Sequence, residues 1–304
     1  MNIGETLRFF RKQLHLTQKE MLDNYLDPSS YSRIEHGKQV IRIDTLAEVL
    51  KKLSVSSEEF FAHVSLDEDQ KEFKDLFYYC ASHLDNHTKK KKLIAYYSTL
   101  KERQLNLKEF SNYIVIKSYF SQFWEEIDPI TEQEIKKTAQ YLLKKNYYQQ
   151  YDYVIICNMI RFFTFKQQDL IIARAIPIPN ENRRDYVTKN FAYTTITNLI
   201  TSRIYEKDYN GAQKYILFAN KQDMTASNYN YRMNLQYLHN LLQYLLTGNH
   251  KYMEHIYDFV RLLENIGDTL QAENLKKEIK FLTYNQFSIP MKDDKNYPIG
   301  IFKY

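Results

Sequence analysis

The sequence predicts an all-α protein in which a small helical domain precedes an array of paired helices. Three observations carry this prediction. Only six glycines and six prolines occur in 304 residues, and 44% of the residues are apolar. Apolar residues recur at helical spacing along most of the chain, and short phrases recur about every 40 residues in its second half.

The first predicted helix covers residues 3–14, with an apolar face at helical spacing. Its outward residues are predicted to be Arg8, Arg11 and Lys12, and these cations could touch DNA phosphates. Two further helices close the domain, at residues 41–53 and 56–62. The residues predicted to point inward from the longer one are Ile43, Leu46, Ala47, Val49 and Leu50.

Between these helices, residues 16–37 follow the pattern of a helix, a short turn and a second helix. Thr17 and Glu20 have the spacing of a capping box, which marks a helix start. Asp27 is placed to cap the second helix, and Gly37 suits its left-handed end. Such a pair of helices is typical of a DNA-contacting motif.

The second helix of this motif has distinct inner and outer faces. Tyr31 and Ile34 are predicted to point inward, whereas Ser29, Ser30 and Arg33 share the exposed side. Lys38 and Arg42 lie near the start of the following helix and are also predicted to contact DNA. Residues 1–65 carry nine basic and nine acidic side chains, so the argument for DNA depends on where the charges lie.

The polar, acidic segment before Gln70 marks a boundary near Leu66. We therefore predict a DNA-binding domain at residues 1–65, a helical repeat domain at 66–284 and a tail at 285–304. The phrase DYNGAQKYILFA at 208–219 looks like the second helix of a tetratricopeptide repeat. The repeats are longer than the standard 34 residues, so the array is a degenerate α-solenoid.

An Asn followed by two apolar residues recurs in the first helix of successive pairs, at Asn158, Asn198 and Asn240. The spacings are 40 and 42 residues, close to the repeat period. An amide offers both donors and an acceptor, which match the backbone of an extended peptide. A row of three would bind a peptide of any sequence, with neighbours such as Tyr237 selecting its side chains. The alternative is a chance recurrence of a common residue.

Arg161 lies three residues beyond Asn158 on the same helix and could meet a carboxylate of such a peptide. The alternative role is an exposed surface arginine. Cys80 and Cys157 lie in helical patterns and are predicted to be buried free thiols.

The sequence carries no glycine-rich phosphate loop, nucleophile elbow or HExxH motif, so we expect neither catalytic residues nor a cofactor. Cys80, His83 and His87 share a face but lack a fourth ligand, so we expect no metal site. No apolar run reaches the roughly 20 residues that span a bilayer, and no signal peptide is recognisable, so a soluble, cytoplasmic protein is expected.

The stretches LRFFRKQLHLTQKEM, YSRIEHGK and LKKLSVSSEEFF resemble the Xre/Cro helix-turn-helix, and the whole chain resembles the Rgg-like regulators of Gram-positive bacteria. That resemblance implies a five-helix DNA-binding domain joined to a tetratricopeptide-like domain. It also implies a homodimer that binds a two-fold related site in double-stranded DNA. A short hydrophobic signalling peptide would bind the concave face of the repeats and control transcription, as in quorum sensing.

The resemblance also assigns roles within the motif. Gln18 matches the family glutamine that contacts a phosphate or a base edge, and Arg11 matches the basic residue of the first helix. Arg33 has two open roles: a DNA contact, or an internal pair with Glu20 or Glu35. The alternative function is a helix-turn-helix regulator whose helical domain binds a protein partner, as an anti-repressor does.

Overall fold

A computed structural model describes residues 1–21, 26–222 and 228–284. These residues form helices joined by turns and loops, and they contain no strand. The chain divides into two compact units, Met1–Tyr79 and a second that begins at Cys80. We call them the N-terminal and the C-terminal unit. The predicted tail at 285–304 lies outside the described residues.

The N-terminal unit contains α1 (Ile3–Gln13), α2 (Pro28–Glu35), α3 (Ile43–Leu53) and α4 (Ser57–His63). Helix α5 (Glu68–Ser82) contains the division between the units. The predicted boundary near Leu66 therefore stays a prediction. The segment predicted to form a helix from Thr17 includes residues 22–25, which lie outside the described residues, and residues 18–21 form a turn. The predicted capping box is formed: the side chains of Glu20 and Thr17 each accept a hydrogen bond from the other residue's backbone N–H.

The core of the N-terminal unit is formed by one face of each helix, with the side chains of Leu7, Tyr31, Ile34, Leu46 and Phe60 buried. Two of the residues predicted to point inward from α3 are exceptions. Ile43 is 77% exposed, and Ala47, four residues later, is exposed as well. Ile43 is the first residue of α3, and residues four apart lie on the same side of a helix, so both face solvent.

The C-terminal unit is a succession of helices whose bounds are α6 (His87–Lys101), α7 (Leu107–Phe120), α8 (Glu132–Lys144), α9 (Gln150–Met159), α10 (Phe165–Ala175), α11 (Tyr186–Tyr205), α12 (Tyr209–Asn220), α13 (Tyr229–Thr247), α14 (His250–Asn265) and α15 (Thr269–Tyr284). Helix α7 packs against α9, α9 against α11, and α11 against α13, so alternate helices form one layer. We call these four the inner helices. Helix α11 also packs against α12, and α13 against α14, as a repeat of helix pairs requires.

Ion pairs with one buried member join consecutive helices of this array. Lys117 in α7 contacts Glu134 in α8 at 2.8 Å, and Lys145 contacts Asp152 in α9 at 2.5 Å. Burial raises the pKa of Glu134, but the hydrogen bonds from Lys117 and the Thr131 backbone hold that pKa below its ordinary value. The carboxylate is therefore ionised at neutral pH and fixes α8 to α7.

One continuous apolar core runs from α7 to α15 and includes Tyr153, Ile196, Leu241 and Ile256. Within the described ranges, no helix combines the length and the apolar character that crossing a bilayer requires. The same residues contain no group of three His, Cys, Asp or Glu side chains placed to hold a metal ion.

Candidate nucleic-acid and peptide sites

Helix α2 has the capping that the sequence predicts. Asp27 accepts a hydrogen bond from the Ser30 backbone N–H at 2.9 Å, Pro28 is the first helical residue, and Gly37 follows the helix with φ +68°. Hydrogen bonds from the hydroxyls of Ser29 and Ser30 hold the pKa of Asp27 well below its ordinary value. The capping carboxylate is therefore ionised, which suits the positive end of the helix dipole.

The outer face of α2 is smaller than predicted. Ser29 is exposed, and its hydroxyl donates to Asp27 at 2.6 Å. Ser30 is only 9% exposed, so its predicted place among the exposed residues is wrong. The reason is its position one residue before the core residue Tyr31, where the side chain is partly covered.

Arg33 is exposed on α2, and its guanidinium donates to Ser30 Oγ at 3.2 Å. Neither acid that the sequence offered as its internal partner pairs with it. Glu35 is bound by Arg11, and Glu20 accepts hydrogen bonds from Thr17. This leaves the DNA-contacting role for Arg33, which stays a prediction.

Arg11 is 9% exposed, so its predicted position on the outer face of α1 is wrong. Its Nε and Nη2 atoms donate to the two oxygens of Glu35 at 2.5 and 2.8 Å, and Nη1 donates to the Leu16 carbonyl at 2.7 Å. A bidentate pair of this kind fixes both partners. Arg11 thus joins α1 to the end of α2 and to the start of the turn.

Gln18 belongs to the same network, since its Nε2 donates to Glu35 at 2.8 Å. Burial raises the pKa of Glu35, but the hydrogen bonds from Arg11 and Gln18 hold that pKa below its ordinary value. Sequence reasoning missed Glu35 as the centre of the motif. The available signal was an acid one residue after the inward Ile34, where an unpaired charge would be costly.

Lys38 and Arg42 are exposed, and with Arg33 they form a cationic edge around the end of α2 and the start of α3. A second missed feature explains how tightly α1 and α2 approach. A Cβ at Gly4 would lie 2.1 Å from the carbonyl oxygen of Ile34. Only glycine permits this contact, which sets the position of α2 within the unit.

In the C-terminal unit, the three asparagines of the predicted row lie on the inner helices α9, α11 and α13. Since these helices are neighbours, the row runs from helix to helix across one layer. Asn158 is half-buried, whereas Asn198 and Asn240 are each 5% exposed. The structure therefore brings the predicted asparagines to one layer of the array.

Asn158 is held by its neighbours. Its Nδ2 donates to the Val154 carbonyl at 2.8 Å, and its Oδ1 accepts from Ser118 Oγ at 3.2 Å. Arg161 is 2% exposed, and its guanidinium donates to the Ser118 carbonyl at 2.8 Å and lies on the Phe162 ring. The surface position considered for Arg161 is therefore wrong, and a direct contact with a peptide would need this packing to open.

Asn198 and Asn240 each use only part of their amide. Asn198 Nδ2 donates to the Cys157 carbonyl at 3.0 Å, and its Oδ1 has no hydrogen-bond partner among the described residues. Asn240 Oδ1 accepts from Gln236 at 3.4 Å, and its Nδ2 has no partner within the described chain. One acceptor and one donor thus remain on adjacent inner helices.

Tyr237 is 3% exposed, so it has almost no accessible surface with which to select peptide side chains as predicted. Its hydroxyl donates to Glu278 in α15 at 3.2 Å, and its ring packs against Phe259 of α14. Residues three apart lie on the same side of a helix, so the spacing from Asn240 does not explain this; the contacts with α14 and α15 direct Tyr237 toward the last two helices. Its assignment as a peptide contact is therefore not supported by its position.

A further polar centre, which sequence reasoning missed, joins α10, α11 and α12. The buried Arg203 contacts Asp169 at 2.9 Å and Asp208 at 2.6 Å, and Asp208 also caps α12 through the Gly211 N–H. A Cβ at Gly211 would lie 2.1 Å from Asp208 Oδ2. The glycine in the repeat-like phrase therefore leaves room for the capping acid.

Both cysteines are buried and free, as predicted. Burial raises the pKa of Cys80 to about 11 and that of Cys157 to about 12. Neither thiol is ionised at neutral pH, so neither has the thiolate character that reactivity requires.

Residues 7–60 match the helix-turn-helix family. Three solved structures share the fold of nearly the whole chain. The PrgX/cCF10 complex is 19% identical, covers 95% of this chain and 95% of its own, and has a TM-score of 0.77. The Streptococcus dysgalactiae SHP pheromone receptor Rgg2 is 18% identical over 92% of this chain and 99% of its own, with a TM-score of 0.69.

The third structure is a bacterial peptide pheromone/receptor complex described with its mechanism of gene regulation. It is 19% identical, covers 92% of this chain and 98% of its own, and has a TM-score of 0.73. No curated protein sequence matches the chain. At these identities the similarity concerns the fold, and the all-α architecture predicted from the sequence is confirmed.

Proposed function

We propose that this chain is a DNA-binding transcription regulator controlled by a short signalling peptide that binds the inner helices of its repeat array. One observation carries the proposal: a helix-turn-helix unit is joined to an array in which Asn198 and Asn240 keep an unused acceptor and an unused donor on adjacent helices. The neighbours in fold support it, since their descriptions name pheromone receptors and peptide complexes.

The DNA site is proposed on the exposed side of α2 and the segment after it. Ser29 and Arg33 would face base edges, and Lys38 and Arg42 would contact phosphates. A serine hydroxyl reads bases less strictly than a bidentate side chain, so DNA shape contributes to the choice of site. We propose a homodimer, whose two heads would bind half-sites about one helical turn apart.

The peptide would lie across α11 and α13 with its backbone against the two amides. Asn198 Oδ1 would accept a backbone N–H, and Asn240 Nδ2 would donate to a backbone carbonyl. These two amides would contact only the peptide backbone, so they would not select among peptide side chains. The residues about one turn away from these amides on the same sides of their helices are uncharged: Thr194 and Thr201 for Asn198, and Tyr244 for Asn240. The absence of charge at these three positions favours a peptide of mostly uncharged residues.

Control would operate as a population shift. A peptide that bridges α11 and α13 binds best to one spacing of these helices, and it can shift the equilibrium only by its difference in affinity for the two arrangements. The favoured arrangement of the array would set the spacing of the two DNA heads in the dimer. Activation and repression are both compatible with this scheme.

The DNA arm of the proposal is tested by selecting duplexes from a random 30-base-pair library with the full-length chain. We expect a two-fold related site to be enriched. Affinity for that site should fall with salt, and Lys38→Ala should reduce the slope of log Kd against log salt by about one phosphate contact. Lys51→Ala, an exposed cation of α3 that is not assigned to the DNA site, serves as the control. Absence of any enriched duplex would contradict the DNA assignment.

The peptide arm is tested with a library of synthetic seven-residue peptides made of Ala, Val, Leu, Ile, Phe and Thr. Peptides retained by the immobilised full-length chain are identified by mass spectrometry, and their Kd values are then measured by calorimetry. Asn198→Ala with Asn240→Ala should weaken binding roughly 10- to 100-fold, since each lost hydrogen bond contributes about 0.5–1.5 kcal/mol.

Asn234→Ala provides the matched control, because Asn234 lies on the same helix as Asn240 and bonds only within that helix, to Asn230. Its peptide affinity should equal that of the wild type. If the double variant binds the peptides as tightly as the wild type does, the assignment of the site is wrong. If the chain retains no peptide but captures DNA, a protein partner replaces the peptide as the regulator.

A further inference from the structure

Helix α15 buries a carboxyl group on the face that packs into the array. Glu278 is 7% exposed, and its neighbours on that face, Leu275 and Ile279, belong to the apolar core. Acidic side chains are seldom buried without a cation. Apolar packing alone therefore does not explain why an acidic side chain is buried at this position.

The groups facing this carboxyl are two phenols from two other helices. Tyr237 of α13 donates to Glu278 Oε2 at 3.2 Å, and the Tyr205 hydroxyl of α11 also faces the carboxyl. Glu278 Oε1 has no hydrogen-bond partner, and Glu278 forms no ion pair in the part of the chain that the structure describes. One oxygen of the group is thus buried without compensation.

Charged groups of the surrounding helices are directed elsewhere. Arg203 of α11 is bound to Asp169 and Asp208. On α13, His239 lies two residues after Tyr237 and therefore on the opposite side of the helix. Lys189 of α11 is half-buried, but it lies 16 residues before Tyr205, near the start of that helix. The other charged side chains and the histidine side chains of these elements are exposed: Arg232, His250, Lys251, Glu254, His255, Asp258, Arg261, Glu264, Glu273, Lys276, Lys277 and Lys280.

An ionised carboxylate in this position would lose its hydration without gaining a counter-charge, whereas a neutral carboxylic acid loses far less. Its proton also gives the acid a donor. Burial raises the pKa of Glu278 to about 7, against an ordinary value of 4.5. The docked helix therefore holds a proton that the same side chain releases in water.

We propose that docking of α15 against α11 and α13 is linked to proton uptake: Glu278 is protonated when the helix is docked and ionised when the helix is released. The linkage is a property of the fold and holds whatever ligand the array binds.

The docking of α15 involves two of the inner helices, α11 and α13. Tyr205 lies seven residues after Asn198 on α11, and Tyr237 lies three residues before Asn240 on α13, so each tyrosine shares a helix with one amide of the proposed peptide site. Phe281 of α15 also stacks on Tyr205, with ring centroids 5.7 Å apart. Release of α15 would therefore remove contacts from both helices at once.

The sign of the effect follows from the two protonation states. Between about pH 4.5 and pH 7 the docked form holds one more proton than the released form, so docking weakens as pH rises, by about tenfold in the docking equilibrium per pH unit. Above about pH 7 both forms are ionised, and the docking equilibrium stops changing.

Hydrogen exchange of the full-length chain, followed by mass spectrometry between pH 5 and pH 8, tests this proposal. For the amides of residues 269–284, the protection factor at each pH is the intrinsic exchange rate divided by the observed exchange rate. In the wild type, protection of α15 should fall about tenfold per pH unit up to about pH 7 and then level off, while protection of α12 stays constant.

Glu278→Gln keeps the shape and removes the titration, so protection of α15 in this variant should not depend on pH. Glu264→Gln removes the exposed ion pair that Glu264 makes with Lys276 at 2.7 Å, and it should keep the wild-type pH dependence. Wild-type protection that is flat with pH, or that changes equally in α12, overturns the proposal. So does an unchanged pH dependence in Glu278→Gln. The comparison of α15 with α12 needs no variant and stands even if Glu278→Gln misfolds.

Discussion

Replacing Arg11 by Met should destabilise the N-terminal unit severely, although the sequence presents Arg11 as a surface cation. The variant removes three hydrogen bonds and leaves the Glu35 carboxylate buried with Gln18 as its remaining side-chain donor. Breaking a buried ion pair by removing one partner costs about 3–5 kcal/mol. That loss is a large share of the 5–15 kcal/mol that typically stabilises a folded protein.

Hydrogen exchange of the α1 and α2 amides in the full-length chain measures this loss locally. The single tryptophan, Trp124, lies in the other unit and cannot report it. A loss of about 3 kcal/mol raises exchange more than a hundredfold. The double variant Arg11→Met with Glu35→Met should recover much of the loss, because an apolar pair leaves no buried charge.

The pH dependence of the same measurement has opposite signs in the two proteins. In the wild type the pKa of Glu35 is lowered, so its stabilising contribution is present above about pH 4.5 and is lost as the pH falls through the folded-state pKa. In Arg11→Met, burial without the arginine raises that pKa, and the unit should gain stability as the pH falls from 7 toward 4.5. The interpretation fails if Arg11→Met costs less than about 1 kcal/mol and instead lowers the salt slope of DNA binding by about one contact.

Two glycine substitutions test close approaches of different kinds. Gly4→Ala places a Cβ against the Ile34 carbonyl, which is backbone, so α1 and α2 must separate; we expect a loss of about 2–3 kcal/mol in the protection of α2 by hydrogen exchange, and no loss would contradict the described approach. Gly211→Ala meets only the end of the Asp208 side chain, which can turn away, so the cost should be about 1–2 kcal/mol and should fall on the N-terminal amides of α12 that Asp208 caps.

Much of the fold follows from local signals in the sequence. Capping residues such as Asp27 and terminal glycines such as Gly37 mark helix ends through the backbone groups they satisfy, and both are used as predicted. The 40- and 42-residue recurrence placed Asn158, Asn198 and Asn240 on neighbouring helices because one repeat contributes one inner helix. Local chemistry and periodicity were sufficient for these features.

The errors concern contacts between helices that are distant in sequence. Arg11 and Glu35 are 24 residues apart, and a helical pattern cannot tell an outward arginine from one that reaches a buried acid on another helix. Arg161 and Ser118 are 43 residues apart, so the sequence pattern did not show that Arg161 is buried against Ser118 either. Tyr237 lies three residues from Asn240 and therefore shares its side of α13, but its hydroxyl bonds Glu278, which is 41 residues away in the sequence.

The reciprocity of the two proposed binding events tests the central claim most directly. With a peptide from the library selection and the enriched duplex, Kd for DNA is measured with and without saturating peptide, and Kd for peptide with and without saturating DNA. Allosteric control predicts that both constants change by the same factor, about 5- to 150-fold, and that the change disappears in Asn198→Ala with Asn240→Ala but persists in Asn234→Ala. Two constants that do not respond to the other ligand would contradict a peptide-controlled regulator, however tightly each ligand binds.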